Sequence, residues 1–576
     1  MNHAASAHPD ITAKLPGWRA TALFVALLIG LAGLLGRGVY LQGIRNDFLQ
    51  EKGNARYSRV VEVIAHRGMI TDRNGEPLAI STPVESVWAS PADVEADGRQ
   101  IKQLAQVLGM SEGELKTRLF DTSRDFVYLK RHLPPDQAGK VVSLNLPGIS
   151  MQREYRRYYP AGEEAAQTLG FTGVDDNGQE GLELALQEKL AGKSGSQRVI
   201  KDRRGHIVED AGSLRAPKPG SDIVLSLDSN VQHLAYRELE NAVRQHKAKA
   251  GAVVVLDART GEVLALANYP AYNPNNRGKV SSHAMRNRAI ADLFEPGSTM
   301  KPFTVATAIE HGKVSPETVI NTERGVYTVG GKKIRDTHPE QMLTVSQIIQ
   351  KSSNVGAAKI ALSLESEALW QSLADSGFGA QTGSNFPGEA PGKLRAPKTW
   401  RPIEQATMSY GHGISVNLLQ LARAYTVFAN NGELMPVSML KLDAAVIGKK
   451  VFSDRTVHAL RGMLELAVQP GGTAPLAQVE GYRVAGKTGT AHKLEDGHYI
   501  DRYVSSFVGF APASKPRLIV AVMIDEPGNG QYYGGLVAAP VFSKVTGAAL
   551  RALNVPNDAP LNNVIAPPAD IVREEV

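Results

Sequence analysis

Residues 294–302 read FEPGSTMKP, with Ser298 and Lys301 three residues apart between a Pro-Gly pair and Pro302. Pro296 and Gly297 end an extended approach. Ser298 to Lys301 is expected to form a first helical turn, continued through FTVATAIEHG, because a proline is tolerated where amides lack helical partners anyway. Positions 298 and 301 then share one face. An exposed lysine stays protonated, but near a helix N-terminus, partly buried and close to another cation, its ammonium form is disfavoured. In that setting Lys301 can accept the proton of Ser298. Taken alone, the spacing reads more simply as a serine-capped helix with a solvated lysine, so the chemistry depends on partners elsewhere.

Two stretches downstream supply them. KSSNVG places Ser352 and Asn354 at i and i+2, where an extended backbone would point both to one side, able to relay a proton and hold an amide carbonyl. On its own it is a polar loop between the helical runs SQIIQK and AAKIALSL. KTGTA places Lys487, Thr488, Gly489 and Thr490 on a strand; glycine leaves room for a substrate backbone to pair, and lysine offers charge for a carboxylate. Strand alternation does not turn Lys487, Thr488 and Thr490 all toward one cleft, and their orientation stays open.

The rest of the chain sets the context. With 576 residues, 43% apolar and 21% charged, it has room for two or three domains. A net charge of +6 without a basic block gives no reason to expect nucleic acid. The absence of cysteine excludes a cysteine nucleophile, thiolate metal sites and disulfides, and the fourteen histidines show no HExxH spacing, so neither metal nor cofactor is expected. Ala20 to Gly36 is uncharged and, extended to Leu41, reaches the length a bilayer requires. A cleaved signal peptide is the rival reading, but the long apolar run without a nearby A-x-A site favours an uncleaved anchor over residues 20–41. Glycines 30, 33, 36 and 38 would admit a second helix or simply reflect membrane-helix composition. Basic residues flank both ends, so charge does not orient the anchor.

Alternation on both sides of Asp72-Arg73-Asn74-Gly75 predicts a hairpin, and KDRRGHIVED and LDARTGEVLALA carry related turn signals. Residues 42–219 mix strands with short polar helices and hold no catalytic cluster. From residue 220 the texture changes: a helix from about Ser229 with Val231, Leu234, Ala235, Leu239, Ala242 and Val243 on one face, then paired strands. YRVAGKTGTA, YVSSFVGFA and LIVAVMID predict an antiparallel meander with helices packed on it. The fold class is therefore α+β: an N-terminal tail (1–19), the membrane helix, a mixed α/β domain (42–219), a second domain (220–553) that carries the three motifs, and a disordered tail (554–576).

The ordered triplet S-x-x-K, S-x-N, K-T-G is the signature of penicillin-binding proteins and class A β-lactamases. With RGMITDRNGEPLA, RYYP at 157–160, GQEGLE at 178–183 and SYGHGISV, it makes the chain resemble the class B penicillin-binding proteins from the anchor to about residue 550. The resemblance is to the division-specific FtsI type of peptidoglycan D,D-transpeptidase; elongation-type relatives usually read PPGSTFKP, so Glu295 favours the division branch. It implies Ser298 as acylated nucleophile, Lys301 as general base and Ser352 as proton shuttle to the leaving amine. Asn354 would contact the substrate amide; Lys487, Thr488, Gly489 and Thr490 would form the carboxylate-binding wall; the backbone N–H groups of Ser298 and Thr490 would form the oxyanion hole. It also implies a β-lactamase/transpeptidase-like catalytic domain and a pedestal or dimerisation domain at 42–219 that docks division proteins and a separate membrane glycosyltransferase. The chain would cross the inner membrane once, its catalytic domain periplasmic, crosslink stem peptides with release of D-alanine, and be trapped by β-lactams at Ser298.

Several rivals share parts of this reading. An elongation-type transpeptidase, a D,D-carboxypeptidase or β-lactamase acting with water, and a sensor acylated only to signal would use the same serine. A scaffold whose division role survives loss of catalysis would not need it. Gly481 to Thr488 also matches the P-loop pattern GxxxxGK[ST], but Tyr482 to Val484 is strand-like and Gly489 falls where a helix should begin. His66 and His412 suggest a Ser-His pair, yet no GxSxG elbow accompanies them, and Asp72 and Glu183 read as turn and contact residues. Tyr410, Gly411 and Gly413 would line the cleft or pack helices.

Overall fold

The computed structural model of the protein describes residues 16–45, 58–201, 207–495 and 497–566. A helix, α1, runs over Gly17–Val39 and closes in a π turn over Tyr40–Ile44; none of its residues is buried. The apolar span Gly17–Gly43 counts 27 residues, about 40 Å at 1.5 Å per residue, against a hydrocarbon core of about 30 Å. Most of the expected cytoplasmic tail lies outside the described residues.

The chain divides into two compact units, one formed by Met1–Ile64, Val84–Glu154 and Ser194–Lys218, the other by Ala65–Pro83, Tyr155–Lys193 and Pro219–Val576. In the first, strands Ser58–Val63, Gly195–Lys201 and Ile207–Arg215 form an antiparallel sheet, the last two being the hairpin predicted at KDRRGHIVED. The helix Gly98–Leu108 starts in a capping box between Asp97 and Gln100 and stops at Gly109, whose φ of 62° closes the last turn. Its Ile101 and Leu104 pack with Leu115, Leu119 and Leu129 in a small core.

The compaction boundary differs from the chain boundary expected at 219/220, because 65–83 and 155–193 belong to the catalytic unit. Two polar knots explain this. Glu183 accepts from Arg67 Nε at 2.8 Å and from Arg157 Nε at 2.6 Å, all three side chains being buried. Asp72 closes its hairpin through the amides of Asn74 and Glu76 at 2.8 and 2.9 Å, and accepts Ser229 N at 3.0 Å across 157 residues of sequence.

That last bond meets the start of α2 (Ser229–Gln245), which buries Val231, Ala235, Leu239, Ala242 and Val243 of the predicted face and leaves Leu234 half-buried. β1 (Ala250–Asp257) and β2 (Val263–Tyr269) follow; α3 (Lys301–Glu310), α4 (Val345–Lys351) and α5 (Asn354–Leu362) carry two of the motifs; β3 (Ala485–Glu495), β4 (His498–Ala511) and β5 (Leu518–Asp525) form the meander; α6 (Ala539–Ala552) ends it. The sheet order is β2-β1-β5-β4-β3, every pair antiparallel. Alternate residues of β1 enter different cores: Ala252, Val254 and Leu256 join the core around Phe303, while Val253 and Val255 join that of α2 and α6. Burial on both faces is why AVVVL is uniformly apolar. β3 lies at the sheet edge.

The expected disordered tail is corrected for 554–566. Asp558 accepts from Arg483 N and Ser514 Oγ at 2.7 and 2.6 Å, and Asn563 bonds Gly481 N and the carbonyls of Val479 and Tyr482 at 2.9, 3.1 and 2.9 Å. Side-chain bonds substitute here for apolar periodicity. Residues 567–576 lie outside the described set.

Candidate active site

The predicted first α-turn at Ser298 is a 3-10 turn, Gly297–Met300, with α3 beginning at Lys301. Three residues per turn eclipse positions i and i+3, which aligns Ser298 and Lys301 more closely than an α-turn would. Lys301 Nζ donates to Ser298 Oγ at 2.8 Å, to Ser352 Oγ at 2.9 Å and to Ser352 O at 2.5 Å. Lys301 is wholly buried and Ser298 is 5% exposed. Tyr425 donates its hydroxyl to Thr299 O at 2.9 Å, holding the turn from beneath.

KSSNVG is not extended. Ser352 ends α4 in the left-handed region (φ 62°, ψ 41°), and Ser353 caps α5 by accepting Gly356 N at 2.9 Å. The reversal turns both the hydroxyl and the carbonyl of Ser352 onto Lys301, an arrangement alternation in a strand would not give. Asp336 holds the turn: it accepts Ser353 Oγ at 2.6 Å and Val355 N at 2.9 Å. Asn354 donates to Arg335 O at 3.3 Å. Asp336 went unread in the sequence; its one signal is that it closes the hairpin Val326–Arg335, whose turn is Gly330-Gly331.

The KTG orientations follow from contacts on β3. A β-carbon on Gly489 would stand 2.6 Å from Pro296 O and 2.5 Å from Ser506 Oγ, so the face of Gly489 abuts the serine turn and only glycine fits. Thr488 and Thr490 lie on the other face: Thr488 Oγ1 pairs with Thr473 Oγ1 at 2.8 Å, and Thr490 Oγ1 accepts Gly534 N at 3.0 Å. Lys487 reaches round to donate to Thr488 Oγ1 at 3.0 Å. A β-carbon on Gly297, whose φ is +58°, would lie 3.5 Å from Thr490 N, which brings the two backbones side by side. Thr473 and Gly534 carried no sequence signal.

Gly411 abuts the backbone of Gly297, where a β-carbon would be 2.2 Å from its carbonyl oxygen, whereas Tyr410 packs with Val355 and Ala406. Gly413 N donates to Glu295 at 2.8 Å. His412 lies edge-on to Tyr410 and Tyr499, at 5.3 and 6.0 Å between ring centroids. Burial, then the charge of Lys301, pushes its imidazole down to about 4, so at neutral pH the ring is uncharged. His66 bonds the backbone carbonyl oxygen of Ser81, not a serine hydroxyl, and lies edge-on to Tyr155. Among the described residues no group of three or more His, Cys, Asp or Glu is placed to hold a metal. The P-loop alternative fails on geometry, since β3 continues past Thr488 to Glu495 and no helix begins there.

Residues 251–547 match the family described as the penicillin binding protein transpeptidase domain, and 62–225 match the penicillin-binding protein dimerisation domain. The chain is 44% identical over 548 residues to the probable peptidoglycan D,D-transpeptidase PenA of Neisseria meningitidis, covering 94% of each chain. It is 43% identical over 554 residues to the peptidoglycan D,D-transpeptidase FtsI of Escherichia coli, covering 95% of this chain and 94% of that one. Among solved structures, the apo TP domain of Burkholderia pseudomallei penicillin-binding protein 3 is 48% identical, with a TM-score of 0.55, over 58% of this chain and 98% of that one. The chain belongs to the penicillin-binding protein transpeptidase family. It is a peptidoglycan D,D-transpeptidase of the FtsI and PenA type.

Proposed function

We propose that Ser298 is the acylated nucleophile of a septal D,D-transpeptidase acting in cell division. Lys301, once its ammonium has lost a proton to solvent, takes the Ser298 proton while Oγ attacks the carbonyl carbon of the penultimate D-alanine. The C–N bond to the terminal D-alanine breaks, and Ser352 relays the proton to that departing nitrogen. An amine of a second stem peptide then attacks the Ser298 ester; the ester C–O bond breaks, the amine proton returns through Lys301 to Ser298, and a crosslink remains. The N–H groups of Ser298 and Thr490 receive the oxyanion, Asn354 the substrate amide, and the Lys487–Thr490 strand its carboxylate. The observation that carries this reading is Lys301 Nζ within 2.9 Å of both serine hydroxyls.

The helix over Gly17–Gly43 serves as the single anchor, with the N-terminus cytoplasmic and the catalytic unit periplasmic, where the stem peptides are. The non-catalytic region before it docks a separate glycosyltransferase and other division proteins. The test incubates the full chain with a pentapeptide ending in D-Ala-D-Ala and an amine acceptor, followed by mass spectrometry. Free D-alanine and a new acceptor amide, both absent in Ser298→Ala, are expected. Hydrolysed tetrapeptide as the sole product would replace the transferase reading with a carboxypeptidase.

A further inference from the structure

Glu295 stands three residues before Ser298, on the loop that enters the 3-10 turn. Its carboxylate joins two other elements. Gly413 N donates to Oε1 at 2.8 Å, and Tyr499 donates its hydroxyl to Oε2 at 3.0 Å. Tyr499 lies near the outer end of the β3–β4 hairpin, paired with Leu494, four residues beyond Thr490. His412 leans on Tyr499 from the Gly413 loop, and Gly411 of that loop presses on Gly297. The serine loop, the 410–413 loop and the outer hairpin thus meet at one carboxylate. At its base the hairpin is held by the ladder to β5, which begins at Val504, and by Lys493 Nζ on Asp525 and Glu526 at 2.7 Å each, so Leu494 and Tyr499 at its outer end lie beyond that support. Burial holds the Glu295 carboxyl above its usual range, partly offset by the Gly413 and Tyr499 bonds.

We infer that Glu295 is a positioning residue: with Tyr499 and Gly413 it latches the projecting β3–β4 hairpin to the nucleophile loop, setting the register between Ser298 and the Lys487–Thr490 strand. This rests on the reading of Ser298 as nucleophile. Glu295 touches neither Ser298 nor the strand motif in any contact described above; it acts through Tyr499 and the loop. A ligand still docks on the strand when the latch is cut, but its carbonyl meets Ser298 less often in line. The loss then falls on the covalent step and spares the binding step.

The experiment measures penicillin acylation of the full-length chain by stopped flow, separating the dissociation constant of the encounter complex from the acylation rate constant. Variants are Glu295→Ala, Glu295→Gln, Tyr499→Phe and the double variant Glu295→Ala/Tyr499→Phe. Acylation in Glu295→Ala is expected to slow about tenfold, with the dissociation constant changed less than about twofold and the melting temperature within about 2 °C. Tyr499→Phe, which cuts one of the two bonds that Glu295→Ala removes, should slow it by a smaller factor, and the double variant little more than Glu295→Ala alone, since both remove the Glu295–Tyr499 bond. Glu295→Gln, whose amide oxygen still accepts from Tyr499, should recover most of the rate. Unchanged rates in a wild-type-like background, losses that multiply in the double variant, or a loss confined to the dissociation constant would each overturn the latch. If the wild-type chain itself takes no penicillin at Ser298, the nucleophile reading fails first, which separates the two failures.

Discussion

Lys301 donates to Ser298 Oγ, Ser352 Oγ and Ser352 O from a wholly buried position. The base proposed at this position has no substitute when the amine is removed. Lys301→Ala is expected to slow penicillin acylation by about 10²–10⁴-fold while the protein stays folded, as measured by stopped flow beside circular dichroism. His412 gives a second residue-scale expectation. Its ordinary value is 6.5 and burial, with Lys301's charge, pushes it down to about 4. The folded state therefore disfavours the proton that the unfolded chain binds. This site leaves stability untouched above about pH 6.5 and removes stability as the pH falls toward 4. His412→Phe should flatten that part of a melting-temperature against pH curve, read by scanning calorimetry; a curve with unchanged slope would show that His412 does not carry it.

At the scale of elements, the helices and strands bearing S-x-x-K and K-T-G were legible because each rule involved is local: Pro-Gly before a helix start, and apolar runs joined by short polar links in β3, β4 and β5. What alternation could not supply was the left-handed turn at Ser352. A non-glycine residue in that region is held by its surroundings, and the holder, Asp336, is 17 residues away from Ser353. Asp336→Ala removes the acceptor of two bonds and is expected to destabilise the protein by about 2–3 kcal/mol, with slower acylation as Ser352 leaves Lys301. Asp336→Asn should keep part of both, and denaturant melts alongside adduct kinetics would test it. Gly489→Ala should also slow acylation, because its methyl would push β3 away from Pro296. The orientation of Thr488 and Thr490 was unreadable for a related reason: their partners, Thr473 and Gly534, come from distant segments with no motif.

Across the whole molecule, sequence order and compaction diverge. A change of texture near residue 220 marks where the strands of the large sheet begin, but Arg67, Arg157 and Glu183 tie two earlier segments to each other, and Asp72 ties them to Ser229 in the same unit. Charge pairing across more than a hundred residues leaves no periodic trace, so no local pattern announces it. Glu183→Gln would leave two buried guanidinium groups short of charge and is expected to destabilise by about 3–5 kcal/mol, measured by chemical denaturation, with acylation per folded molecule unchanged. The central claim is that Ser298 forms the acyl-enzyme, and its most direct measurement is mass spectrometry of the full-length chain after incubation with a penicillin. Opening of the lactam C–N bond passes the proton to the ring nitrogen and releases nothing, so the account predicts one adduct of the whole penicillin mass on the peptide containing FEPGSTMKP, absent in Ser298→Ala. A folded protein with no adduct, or with the adduct on another peptide, would contradict it.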